Sequence, residues 1–341
     1  MKFGKILTVA AMFAALSGSA FAKAKKSDSG KMKIVSTTFA QYDWTKEILG
    51  ANADRAEITL LIGNGVDLHS YQPSIQDIAK ISTADIFIFT GGESDGWVKD
   101  ALKNARNKNM TVINMMESLG ERVKTEEIKE GMQAEEEHEH EDEDEDHDHE
   151  SEGHHHHDDD EEIEYDEHVW LSLRNAKYIS GLICDAVISK DPANEAFYRA
   201  NLASYSAKLD ALDGRIAAAV KSGSKDTLLF GDRFPFRYFT DDYKLDYFAA
   251  FVGCSAETEA SFETVIFLAK KVDELGLPTV LTIENSDGKI ARTIVQNCKN
   301  KKAAILSMDS MQSVTKADIQ KGETYLSIME KNLGVLKEAL K

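Results

Sequence analysis

Eight of the ten histidines lie between His138 and His157, inside a stretch from Glu135 to Asp166 that holds twenty acidic residues and no Lys or Arg. Imidazole is a borderline-soft ligand suited to zinc. The stretch offers it as His138-x-His140, as His147-x-His149 and as the block His154, His155, His156 and His157. This spacing favours a disordered loop that collects metal ions over the alternative, a solvated acidic run with incidental histidines. Only His69 and His168 are left for the remainder of the chain.

Both remaining histidines fall where a ligand site would form. In open parallel sheets, ligands bind beyond the carboxyl ends of the strands. His69 lies in Gly65-Val66-Asp67-Leu68-His69-Ser70-Tyr71-Gln72-Pro73-Ser74, after a strand pattern ending at Ile62 and before a helix opened by a Ser74/Asp77 capping box. His168 follows the acidic stretch in Asp166-Glu167-His168-Val169-Trp170-Leu171-Ser172. Three carboxylates come at comparable places: Asp232 after a strand ending at Phe230, Glu284 after Thr279–Ile283, and Asp309 after Met308. Any one of them alone is as well explained as a helix cap or a surface group. Two imidazoles with one to three carboxylates would make a workable transition-metal set. An exported zinc hydrolase could use the same ligands with an open coordination position, but the chain contains neither H-E-x-x-H nor G-x-S-x-G.

The elements that must position these residues alternate as strand and helix. Lys33–Thr37, Ala56–Ile62, Ile86–Thr90 and Thr111–Asn114 have strand composition, and the pattern restarts with Thr227–Phe230, Tyr247–Phe251, Thr279–Ile283 and Ala303–Met308. The expected fold class is α/β, two similar parallel-sheet lobes with the metal site in the cleft between them. One long helix should join them, with Asp191 as N-cap, Pro192 at its first position and Lys221-Ser222-Gly223 at its end. Its apolar face, Tyr198, Leu202, Tyr205, Leu209, Leu212, Ile216 and Val220, recurs every three or four residues. A single stiff helix allows only modest lobe closure. The expected divisions are a signal peptide at 1–22, an N-terminal lobe at 32–190 carrying the loop 135–166, the linker helix at 191–223 and a C-terminal lobe at 224–341.

Export is expected from Lys2 and Lys5, the apolar run from Ile6 to about Leu16, and the cleavage pattern Ala20-Phe21-Ala22. No cysteine follows that site, which argues against a lipid anchor. The net charge is -19, and removing the twenty acidic charges of the stretch leaves +1 for everything else, so nothing points to a nucleic-acid partner. Of three cysteines, Cys184 sits in a helical apolar pattern, which leaves Cys254 and Cys298 as the candidate disulfide in an oxidising compartment.

At these residues the sequence resembles the metal-binding substrate-binding proteins of bacterial ABC transporters, the ZnuA and TroA type. The resemblance rests on Gly65 to Asp77, on Thr83-Ala84-Asp85-Ile86-Phe87-Ile88-Phe89 with Gly91, Gly92 and Trp97, on His168 to Ser172, and on Tyr325, Met329, Asn332 and Leu333. It implies a receptor that captures zinc, manganese or iron for uptake through a membrane permease; the histidine stretch makes zinc the expected cargo, with manganese or iron as the alternative, and the chain is expected to be a monomer that catalyses no reaction. It also implies His69, His168 and Asp309 as ligands, and it is consistent with the Cys254–Cys298 pair. Where the family carries a further His or Glu, this chain has Arg233, which cannot ligate a cation. Asp232 is the expected replacement, with a water or Glu284 as the other choices. Leu68 and Leu173 stand where the family commonly has prolines, a change in loop stiffness only.

Overall fold

The computed structural model describes residues 30–133, 164–255, 259–299 and 301–341. The expected signal segment 1–22 and all eight histidines of the acidic stretch lie outside these residues.

Two four-stranded parallel sheets form. The first is built from β1 (Met32–Ser36), β2 (Ala56–Leu60), β3 (Ile86–Phe89) and β4 (Thr111–Asn114), in the order β2-β1-β3-β4. The second is built from β5 (Thr227–Phe234), β6 (Asp246–Val252), β7 (Thr279–Ile283) and β8 (Ala304–Met308), in the order β6-β5-β7-β8. The same order repeats, so each lobe has its topological switch between its first and third strands. Continuous burial of β3 and of β7 is what a parallel sheet covered on both faces requires.

Helices α1 (Phe39–Leu49), α2 (Ile75–Ser82), α3 (Val98–Lys103) and α4 (Met115–Leu119) connect the first lobe. The α2 start is the expected capping box: the Ser74 hydroxyl accepts from Asp77 N, and the Asp77 side chain accepts in return. Two long helices follow, α5 (Leu173–Lys190) and α6 (Glu195–Ser222). The second lobe adds α7 (Arg237–Tyr243), α8 (Phe262–Leu275), α9 (Lys289–Asn297), α10 (Lys316–Gln320) and α11 (Tyr325–Ala339).

The 28 residues of α6 span about 42 Å. Tyr198, Tyr205, Leu209, Leu212 and Ile216 are buried along one face, as the periodicity predicts. Its start differs from expectation. Pro192–Asn194 form a separate 3-10 turn, and the Asp191 carboxylate takes no capping role. It is engaged elsewhere, accepting from the Tyr198 hydroxyl at 2.7 Å and from Arg55 Nε at 3.0 Å.

One hydrophobic core runs from the first sheet through Trp44, Trp170, Tyr205 and Tyr325 to Phe230 and Phe239 of the second lobe. Tyr325 locks this junction: its hydroxyl donates to Trp170 O at 2.6 Å and its amide to Asp43 Oδ2 at 2.9 Å. Lys31–Lys341 therefore pack as one compact unit. A smaller core of Leu229, Phe251, Leu268, Val280 and Ile294 lies within the second lobe.

A correction falls on β5, which runs to Phe234 and not to Phe230. Phe230 pairs with Ala249 and Arg233 with Phe251, so β5 carries one extra residue in between. Such a bulge re-aims the following side chains and stops Asp232 and Arg233 from simply continuing the strand's alternation.

Candidate metal centre

His69 stands on a 3-10 turn, Leu68–Ser70, beyond β2. Buried Leu68 anchors the turn, and Asp67 caps it by accepting the His69 amide on Oδ1 at 3.1 Å. His168 is placed by a short antiparallel pairing in which Glu126 N donates to Glu164 O at 3.0 Å and Asp166 N to Lys124 O at 2.9 Å. Behind it Val169, Trp170 and Leu171 are buried. Cys254 follows β6, its amide donating to Glu126 Oε1 at 3.1 Å. The strand-like segment that orients His168 thus also holds Cys254.

These three side chains converge. Nε2 of His69 lies 3.3 Å from Nε2 of His168, and one ring nitrogen from each, with Cys254 Sγ, all fall within 4.8 Å of one another. The far side of each ring is fixed. His168 Nδ1 donates to Asp166 Oδ1 at 3.0 Å, which turns the Nε2 edge toward its neighbours. His69 Nδ1 meets Ser94 Oγ at 2.8 Å and lies 3.6 Å from Glu167 Oε2. A carboxylate or hydroxyl behind a histidine is the usual means of setting tautomer and orientation in a metal ligand. Glu167 reaches this place because Gly92, at φ 78°, has no Cβ: one there would sit 2.3 Å from Glu167 Oε1.

Burial, reinforced by the neighbouring His168, pushes His69 down to about 3. Burial also acts against protonation of His168, but Asp166, Glu167 and Glu126 outweigh it and leave that ring above its ordinary value. The two Nε2 atoms thus face one another at 3.3 Å, with their opposite ring edges held by Ser94 and Asp166. Burial and the nearby Glu126 push the Cys254 thiol up, so a metal ion binding there must displace its proton.

The carboxylates nominated from the sequence are not brought into this group. Asp309 uses Oδ1 to accept Met311 N at 2.8 Å, and burial with the adjacent Glu284 pushes it up to about 7. Glu284 accepts from Ser310 N, Ser310 Oγ and Gln312 N at 2.7, 2.8 and 3.0 Å, holding the loop after β8. Asp232 accepts the Arg233 amide at 2.9 Å and lines a cavity of about 480 Å³ at the lobe opening, beside Glu284 and Asp287. A larger cavity of about 860 Å³ lies away from the donors, lined by residues of α5, α6 and α7.

The Cys254–Cys298 disulfide is also corrected: all three cysteines are free. Cys298 packs in the small core of the second lobe, its thiol donating to Ile294 O at 3.2 Å, while Cys254 Sγ faces the histidines. The sequence did carry a signal for Cys254, since it follows a strand's carboxyl end as His69 does.

The chain matches the family described as zinc-uptake complex component A, periplasmic, the ZnuA family, over residues 34–339. The zinc-binding lipoprotein AdcA of Streptococcus pneumoniae serotype 4 is 32% identical over 316 residues, 92% of this chain and 57% of that protein. The high-affinity zinc uptake system protein ZnuA of Bacillus subtilis is 27% identical over 99% of this chain and 98% of its own length. This chain spans little more than half the length of the streptococcal relatives it matches. Among solved structures, the Zn(II)-bound ZnuA-like domain of S. pneumoniae AdcA superposes with a TM-score of 0.66 at 26% identity, covering 91% of this chain and 99% of that domain. The metal-dependent lipoprotein YcdH of B. subtilis superposes with a TM-score of 0.69 at 25% identity, covering 91% and 99%.

Proposed function

Because the chain belongs to the ZnuA family, we propose that it is an extracytoplasmic substrate-binding protein that captures Zn2+ between its lobes and delivers it to the permease of an ABC transporter. The observation that carries this reading is the convergence of His69, His168 and Cys254, with Asp166 and Ser94 orienting the two rings. Two imidazoles and a thiolate form a soft donor set suited to zinc, with a fourth position left for a further ligand. The sulfur weighs against manganese or iron as cargo, since those ions favour a harder oxygen-rich set.

No reaction is part of this reading. A hydrolase needs a base beside a metal-bound water, and Glu167, 3.6 Å from His69 Nδ1, lies behind that ring edge. The lobes 32–190 and 224–341 share a core and the stiff α6, so closure on the ion is small. The protein acts as a monomer, exported by residues 1–22, and the histidines of 135–166 raise the local zinc concentration beside His168.

The test is zinc titration of the chain lacking residues 135–163. One tight equivalent is expected, lost in His69→Ala and strongly weakened in Cys254→Ser. Loss of the tight site with the acidic stretch alone, or unchanged binding in both variants, would overturn the assignment.

A further inference from the structure

The family's third-ligand position holds Arg233, and the structure gives this residue a different task. Its Nη2 donates to Asp67 Oδ2 at 2.7 Å, and its Nη1 to Ser255 O at 3.3 Å. Asp67 belongs to the first lobe, where its other oxygen caps the turn carrying His69. Ser255 belongs to the second lobe and is the residue after Cys254. One guanidinium fork thus touches the two loops that bring an imidazole and a thiol to the centre from opposite lobes. The extra residue in β5 between Phe230 and Arg233 is what re-aims this side chain.

On the reading that His69, His168 and Cys254 hold the ion, we propose that Arg233 is the positioning residue of the centre: a cross-lobe clamp that keeps the His69 and Cys254 loops together and so sets how slowly zinc leaves. The ion pair suits that work. The two side chains are only 19% and 23% exposed, so water screens them less than a surface pair. Arginine supplies two donors in a fixed plane, which a single ammonium cannot match. The second contact of Asp67 passes the restraint directly to the backbone of His69, and Cys254 is held from its other side by Glu126.

The experiment measures zinc release into excess chelator by stopped flow for the wild type, Arg233→Ala, Arg233→Lys, Asp67→Asn and the Arg233→Ala/Asp67→Asn double variant. Asp67→Asn keeps an oxygen for the His69 amide and loses the charge. Release should accelerate about tenfold or more in Arg233→Ala and in Asp67→Asn, with Arg233→Lys between them and the wild type. The double variant should be no faster than the faster single variant, because both break one tie. Cobalt-substituted protein should keep its thiolate charge-transfer band throughout, since the donors remain. Release within twofold of wild type in both single variants, or additive effects in the double, would sink the clamp. Failure of the ligand reading looks different: the cobalt band would be absent from the wild type or unaltered by Cys254→Ser.

Discussion

Two groups of metal-capable side chains lie in the region of the strand ends in this protein, and their hydrogen bonding differs. His69, His168 and Cys254 present donor atoms to one another, while their outer edges or backbone amides are held by Ser94, Asp166 and Glu126. Asp309 and Asp232 each accept a nearby backbone amide on one oxygen, and Glu284 accepts from amides and a hydroxyl of the segment after β8. The first group turns its donor atoms toward one point, whereas each carboxylate of the second already holds neighbouring backbone. Residue type nominates a ligand, and the surrounding hydrogen bonds set how its donor atoms are oriented and how far they are engaged already.

This contrast breaks most visibly at His168. Replacing it with Ala removes a fully buried donor, and zinc affinity should fall by about a thousandfold, roughly 4 kcal/mol, measured by competition with a chromophoric chelator. Retained affinity would place the ion elsewhere, most plainly among the carboxylates. Asp166→Asn tests the orienting shell. It should cost about 10- to 100-fold in affinity while the stoichiometry stays at one tight ion.

Proton release sharpens the comparison further. His168 and the Cys254 thiol hold their protons to higher pH than the free side chains do, so the ion displaces protons when it binds. Affinity should therefore climb with pH through neutrality and fall on acidification. His69, at about 3, adds nothing to that slope above this value. Calorimetric titrations in buffers of different ionisation enthalpy should show the released protons, and a buffer-independent enthalpy would contradict the thiol as donor.

The smallest effect on zinc belongs to Asp309→Asn, expected within about threefold of wild type. Its effect on stability has a definite sign. Burial and Glu284 raise the folded-state pKa of Asp309 to about 7, so its neutral form favours the fold, and that contribution is lost as pH rises through this value. Asn imitates the neutral form, so the variant should gain stability over wild type at pH 8 and lose most of that advantage at pH 5 in chemical denaturation. A large loss of zinc affinity instead would return Asp309 to the ligand set.

Much of the frame was legible in the linear pattern. Alternating apolar strands and helices set two parallel sheets, and the periodic face of Tyr198 to Ile216 marked the long helix, because burial imposes those periods locally. His69 and His168 stood out through the scarcity of histidine outside the acidic stretch. Cys254 reads in the linear pattern as half of a candidate disulfide, because proximity in space has no local signature. The β5 extension escaped for a related reason: a bulge depends on the partner strand, Ala249 to Phe251, and not on the residues of β5 alone.

By itself, then, the sequence determined the layered α/β class and singled out His69 and His168. Only the tertiary structure brought the Cys254 sulfur beside the two imidazoles, tied Arg233 to Asp67 and Ser255 O, and engaged Asp309 and Glu284 with the segment after β8. The physical reason is range. Burial periodicity acts between neighbours along the chain, whereas coordination and hydrogen-bond saturation are settled between atoms that lie 99 residues apart in His69 and His168, and 166 apart in Asp67 and Arg233.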